Sequence, residues 1–236
     1  MTANTQPPIG TADAARPARL GNQPRFAVKR PLWRKDDEHG HLDSTAFTAT
    51  RESVFKRDNY ACRYCGFKAT KHQEIHHVDG DHHNHEATNL LTVCNLCHQV
   101  HHLGMSGARN AGVIAALPEL TQVEVNHIAR ACFVAQRLGE RDTGDRLTGL
   151  YALLQARSDG LKSAFNHDIS SPLLLAELLA SWDDERYAAR DGALAALRLV
   201  PTEAAFGAGQ LDYYAQNLKK PFSPDNWSAL ARQLAG

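Results

Sequence analysis

The chain has 236 residues, 43% hydrophobic and 22% charged, with 26 basic against 26 acidic side chains. That length holds one sizeable domain or two small ones, and the composition is ordinary for a folded globular protein. A formal charge of zero argues against a uniformly basic nucleic-acid binder, and no apolar run of about eighteen residues is present to span a membrane. The charge is only slightly uneven, with 14 basic and 11 acidic residues in 1–118 and 12 and 15 in the remainder.

Pro7, Pro8, Pro17 and Pro24 punctuate a small, polar N-terminal stretch, and residues 1–24 read as a flexible arm with no apolar signal core. A cytoplasmic protein is expected. Phe26, Val28 and Leu32 alternate, which predicts a short strand over 25–33, followed by a charged turn at 35–45. Phe47, Val54 and Phe55 share one face of a helix ending near Asp58 and Asn59. Tyr60-Ala-Cys-Arg-Tyr-Cys-Gly66 is a tight hairpin carrying two thiols, and 74–78 reads as a strand. Asp79-Gly-Asp81 is a turn, 84–89 a polar loop, and 90–102 reads as opening a helix near a second cysteine pair.

Beyond Gly104 the pattern is helical. Thr121 and Glu124 form a capping box, and Val125, Ile128, Cys132, Ala135 and Leu138 line a helix that stops at Gly139. A second helix is expected over 143–158, with Leu147, Leu150, Tyr151 and Leu154 inward. Ser171 followed by Pro172 opens a third, and further helices are expected around 183–199, 203–218 and 224–235. The fold class is therefore α+β. A metal-stapled domain at 25–104 follows the arm, and an all-α helical domain occupies 105–236.

Four of the five cysteines fall in two pairs, Cys62/Cys65 and Cys94/Cys97, with 28 residues between the pairs. Two thiolates two residues apart can share one ion from a tight turn, and a second pair closes a tetrahedral site. The absence of a secretion signal disfavours disulfides, so the expected cofactor is structural Zn²⁺. Cys132 stands alone in an apolar stripe and reads as a buried hydrophobe.

A second constellation threads this frame. His76 and His77 end a strand, Asn89 lies twelve residues after His77, His98 follows Cys97, and His102 shares its helical face. The order His-His, Asn, Cys-x-x-Cys-His is the HNH signature, and it predicts the zinc-stapled ββα-metal, treble-clef-like fold. In that reading His77 is the base that deprotonates water. Asn89 orients the imidazole or braces the loop. His76, His98 and His102 hold a second divalent ion such as Mg²⁺, Mn²⁺ or Ni²⁺. His72, His82, His83, His85 and His101 read as surface residues, and His127 and His167 as helical residues with no partner in view. The one locally basic stretch holds Arg51, Lys56, Arg57 and Arg63 with Lys68 and Lys71. It either contacts phosphates or forms a solvated helix face whose Arg57-Asp58 end packs beside the hairpin.

The segments Lys71-His-Gln-Glu-Ile-His-His-Val-Asp-Gly-Asp81 and Asn89-Leu-Leu-Thr-Val-Cys-Asn-Leu-Cys-His-Gln-Val-His-His-Leu-Gly104 resemble the IcmJ/DotN family. Leu117-Pro-Glu-Leu-Thr-Gln-Val-Glu-Val-Asn-His127 and Leu150-Tyr-Ala-Leu-Leu-Gln-Ala-Arg-Ser158 are similar to that family's helical half, so the resemblance spans roughly 25–218. It implies an HNH-like, zinc-binding scaffold of a type IVB secretion or conjugation system. Its partners would be the coupling ATPase and other coupling-complex subunits, at the cytoplasmic face of an inner-membrane assembly. The same residues also admit an active metal-dependent DNA endonuclease, or a nucleic-acid-binding module that neither cuts nor docks. A hundred-residue helical half with little basic charge suits a protein partner better than DNA.

Overall fold

The computed structural model describes residues 23–28, 45–139, 141–164 and 168–218. Most of the expected arm, residues 29–33 of the expected strand, nearly all of the expected 35–45 turn, His167 and the expected helix at 224–235 lie outside the described residues. The fold is α+β. Helix α1 (Thr45–Arg57) leads into the cysteine hairpin, and strands β1 (Gln73–His77) and β2 (Leu90–Cys94) follow. Next come α2 (Asn95–Val100), α3 (Leu103–Ala108), strand β3 (Gly112–Ala116) and the long α4 (Gln122–Leu138). The rest comprises α5 (Arg141–Ala156), α6 (Asp159–Ala164), α7 (Pro172–Ser181), α8 (Asp184–Ala188), α9 (Arg190–Ala193), β4 (Leu197–Pro201) and α10 (Gln210–Asn217).

Strands β1 and β2 pair antiparallel, Gln73 opposite Cys94 and His77 opposite Leu90. Residues 90–94, expected to open a helix, are instead a strand, and the helix waits until Asn95. Leu-Leu-Thr-Val-Cys is buried at every position, and a continuous apolar run buried on both faces has no alternation to distinguish it from helix.

Asp58 fixes where that strand lies. Its carboxylate is buried and accepts from the Thr92 amide at 3.0 Å and from the Arg57 guanidinium at 2.9 and 3.1 Å. Arg57 then donates onward to the Ala87 and Leu90 carbonyls at 2.6 and 2.7 Å, and Arg63 lies 3.9 Å from the same carboxylate. One buried charge thus ties the end of α1, the hairpin and β2 together.

The second half is not all-α as expected. Strands β3 and β4 form an antiparallel two-stranded sheet, Gly112 opposite Pro201 and Ala116 opposite Leu197. The helix expected over 183–199 divides into the short α8 and α9 before β4, and 203–218 contains a 3-10 turn at Glu203–Ala205 followed by α10. Five-residue strands carry too little periodicity to stand out among helices. Helix α4 matches its reading, with the full Thr121/Glu124 capping box and left-handed Gly139 at its end. On α5, Tyr151 and Leu154 are buried as expected, but Leu150 is 41% exposed.

Residues 23–28 form no strand; they run extended across both halves. Ala27 donates to the Val100 carbonyl and accepts from the Leu103 amide, while Phe26 is buried. The Tyr187 hydroxyl bonds both backbone groups of Val28, and Arg190 donates to the Phe26 carbonyl. Two apolar clusters hold the molecule. One contains Phe67, Val93, Cys94 and Cys97 together with Val125, Val134 and Tyr214; the other contains Val100, Leu103, Ile114, Leu175, Leu179 and Leu199. Each cluster draws residues from both sides of position 104. Among the described residues, no helix is long and apolar enough to cross a membrane.

Asp58→Ala would leave Arg57 and Arg63 facing a dry strand end without their counter-charge. A loss of about 3–5 kcal/mol is expected in urea unfolding monitored by circular dichroism; a change below about 1 kcal/mol would mean that β2 is held elsewhere.

Candidate metal centre

Backbone geometry sets the first pair of thiols. Just past the end of α1, two left-handed residues, Asn59 and Tyr60, each with φ of 54°, turn the chain into the hairpin. An Ala61–Lys68 bridge closes it. The Cys62 amide donates to the Phe67 carbonyl and the Gly66 amide to the Cys62 carbonyl, with Gly66 at φ 73°, a conformation that glycine adopts without strain. The second pair straddles the β2–α2 junction, Cys94 ending the strand and Cys97 lying in the first turn of the helix.

The four sulfurs lie within 4.8 Å of one another, and Cys65 Sγ is 3.6 Å from Cys94 Sγ. A tetrahedral ion bound at about 2.3 Å from each sulfur has sulfur–sulfur edges of about 3.8 Å, so the set is positioned to bind a metal ion. Three of the four cysteines are buried. Burial and the neighbouring thiols push Cys62 and Cys97 well above the ordinary thiol range. Burial also opposes ionisation at Cys94, but hydrogen bonds from the other thiols and the charge of Arg130 bring it well below that range. Crowded buried thiols oppose one another's ionisation, and a cation among them would let all four ionise.

Helix α4 supplies groups that the sequence reading missed. Arg130 is fully buried and donates from Nη2 to Cys94 Sγ at 3.1 Å, with its guanidinium 3.8 Å from the Phe67 ring centroid. Asn126 Nδ2 donates to Cys97 Sγ at 3.4 Å. His127, expected to have no partner, lies 3.2 Å from Arg130 Nη1 and 3.1 Å from the Cys65 carbonyl. Because arginine can only donate, His127 Nδ1 accepts and Nε2–H donates to Cys65. Burial and Arg130 both lower the His127 pKa, which keeps that tautomer neutral. The available signal was the polar row Gln122, Asn126, Arg130, spaced four residues apart beside the apolar stripe of α4.

The histidines divide between two places. The ring nitrogens of His76, His98 and His102 all lie within 4.8 Å of one another. Glu74 Oε2 is 2.6 Å from His98 Nδ1, leaving His98 Nε2 facing His102 Nε2 at 3.1 Å. This is the arrangement in which a carboxylate fixes the tautomer of a ligating histidine. Burial, followed by the surrounding histidines, pushes His76 down to about 2, so it is neutral and able to ligate. His77 is buried, pushed down to about 4 by burial and then by His82 and His85, and lies 3.5 Å from His85 Nδ1. Asn89 does not touch it. The Asn89 amide donates to Asp79 and to the Asn84 carbonyl and accepts from the Asp79 amide, which braces the 79–84 loop. His101, expected at the surface, instead stacks on His76 with ring centroids 4.3 Å apart.

A cavity of about 350 Å³ opens onto His76, His77, His101 and His102, walled on its far side by Arg25 and Arg190. In the basic stretch, the guanidinium of Arg57 is turned inward onto Asp58 and two carbonyls, and the Arg63 side chain is only 13% exposed. Arg51 lies over the Phe55 ring, and Lys56 is 3.6 Å from Glu52.

No family model matches the chain. It is 32% identical over 165 residues to the type 4 apparatus protein DotN of Legionella pneumophila, a match that covers 68% of this chain and 75% of that protein.

Cys62→Ser removes one corner of the cage. The variant is expected to lose its metal, measured by mass spectrometry of the intact chain, together with its cooperative thermal melt. An unchanged melting temperature would show that the cage contributes nothing to folding.

Proposed function

This chain belongs to the IcmJ/DotN family, and on that premise we propose that it is a zinc-stabilised subunit of a type IVB secretion or conjugation coupling complex. It acts there as a scaffold that binds the coupling ATPase and neighbouring subunits at the cytoplasmic face of the inner membrane. The observation that carries this reading is the closed four-cysteine cage. Its soft donors suit zinc, and four protein ligands leave no open position for a substrate. Such a site holds shape, and here it holds the cysteine domain against α4.

The helical half supplies a contact surface. Leu153 on α5 is 67% exposed, and Leu174 on α7 is 42% exposed. Nearby residues line an apolar cavity of about 670 Å³, including Leu161, Ile169, Leu178 and Trp182, with Arg157 and Arg186 also in its wall. An amphipathic helix of the coupling ATPase, with acidic residues beside its apolar face, fits these features. The full chain is expected to co-purify with that ATPase segment and to carry one zinc. Leu153→Asp and Leu174→Asp together should weaken binding about tenfold or more without altering the melt. Equal binding by the double variant would move the interface elsewhere.

A second reading, the HNH endonuclease, rests on the convergence of His76, His98 and His102 with Glu74 behind His98. In it these histidines hold a second divalent ion, His77 is the base, Asn89 braces the loop, and Arg51 and Lys56 meet DNA. The scaffold reading is preferred because residues 23–28 and Arg190 wall the histidine cavity and Arg57 faces inward. Plasmid incubated with the protein and Mg²⁺, Mn²⁺ or Ni²⁺ is expected to stay supercoiled. Nicking that disappears in His77→Ala would establish the nuclease instead.

A further inference from the structure

Among the described residues, Arg130 is a fully buried cation with no carboxylate in ion-pair range. Its Nε has no hydrogen-bond acceptor, and its remaining contacts are Cys94 Sγ, His127 Nδ1 and the face of Phe67. A lone guanidinium in a dry interior is unfavourable unless an anion faces it. Among the described residues, the group that faces it and can carry negative charge is the cysteine cage. Four thiolates around a divalent ion carry a formal charge of minus two, and one guanidinium at 3.1 Å halves it.

We propose that Arg130 is the built-in counter-ion of the four-cysteine metal centre, a positioning residue that couples metal retention to the docking of helix α4. The inference rests on the metal reading above and adds to it a member that no ligand spacing reveals. The coupling runs through one helix face. Asn126 reaches Cys97 while its Oδ1 accepts from Gln122 Nε2 at 2.9 Å. Gln122 in turn bonds both backbone groups of Leu199 on β4. Arg130 reaches Cys94, and through His127 it reaches the Cys65 carbonyl. Helix α4 is therefore joined by polar contacts to three of the four ligands, and through Gln122 and Asn126 it links Cys97 to the sheet of the helical half.

The test uses the full chain with Arg130→Met, which keeps length and apolar bulk, and Arg130→Lys, which keeps the charge but not the fork. Zinc release to a chromogenic chelator is measured in each. Loss of an outer-layer partner typically weakens metal binding 10–100-fold, so Arg130→Met is expected to release zinc at least tenfold faster than the native chain, with Arg130→Lys between them. If Met retains zinc as well as or better than Lys, the residue acts by packing and the proposal fails. Cobalt-substituted protein gives a second readout, and Arg130→Gln, which keeps polar donors but not the charge, serves for it if the Met variant does not fold. A cation beside sulfur stabilises its lone pairs, so the thiolate-to-cobalt band should move to lower energy once the charge is lost. An unmoved band overturns the proposal. A native chain that holds no zinc at all would overturn the metal reading and this inference together, whereas a zinc-bearing native chain with indifferent variants overturns only the inference.

Discussion

Four thiols crowded within 4.8 Å inside an apolar core cannot all ionise unless positive charge sits among them. Much of the architecture around the cage answers that constraint. The hairpin after α1 and the junction between β2 and α2 bring two loops of sequence to one point, and α4 brings a guanidinium, an amide and an imidazole to its outer side. Helix α4 is the boundary of the cage rather than a neighbour of it. For this reason the apolar cluster containing Cys94 and Cys97 also contains Val125, Val134 and Tyr214.

The parts of this arrangement written locally were legible in the sequence. Two residues between paired cysteines, a glycine closing the hairpin at Gly66, the capping box at Thr121 and the stop at Gly139 are each decided within a few residues. The strand at Leu90–Cys94 was not legible, because a segment buried on both faces has no alternating pattern to show. Nor was the β3–β4 sheet, whose two short strands are separated by 80 residues of mostly helical sequence. Arg130 escaped for a related reason. An arginine on a helix is ordinarily solvated, and nothing within four residues reveals that its counter-charge comes from Cys94.

The two metal-capable sets differ in kind although they share one short helix. Cys97 and His98 are adjacent on α2, yet the sulfur belongs to the cage inside the core, while the imidazole lines a separate cavity with Glu74 and His102. The chain belongs to the IcmJ/DotN family, and the sulfur set is positioned to bind a metal ion. The histidine set retains the donors and the carboxylate orienter that a second ion would use, and Arg25, Arg190 and residues of the 23–28 segment line the cavity on its His76 side. One short helix therefore carries members of two metal-capable sets.

The extended segment also imposes an order of events on synthesis. The cysteine frame is complete in sequence at residue 97, and its outer layer arrives with Arg130, so an ion can be captured while the chain is still being made. Phe26 and Val28, by contrast, are held by Arg190 and Tyr187, more than 150 positions later. Residues near the start of the chain thus find some of their partners late. Contacts this distant in sequence form late because the intervening loop must close first. On the ribosome, the histidine cavity acquires its far wall only after most of the protein has emerged.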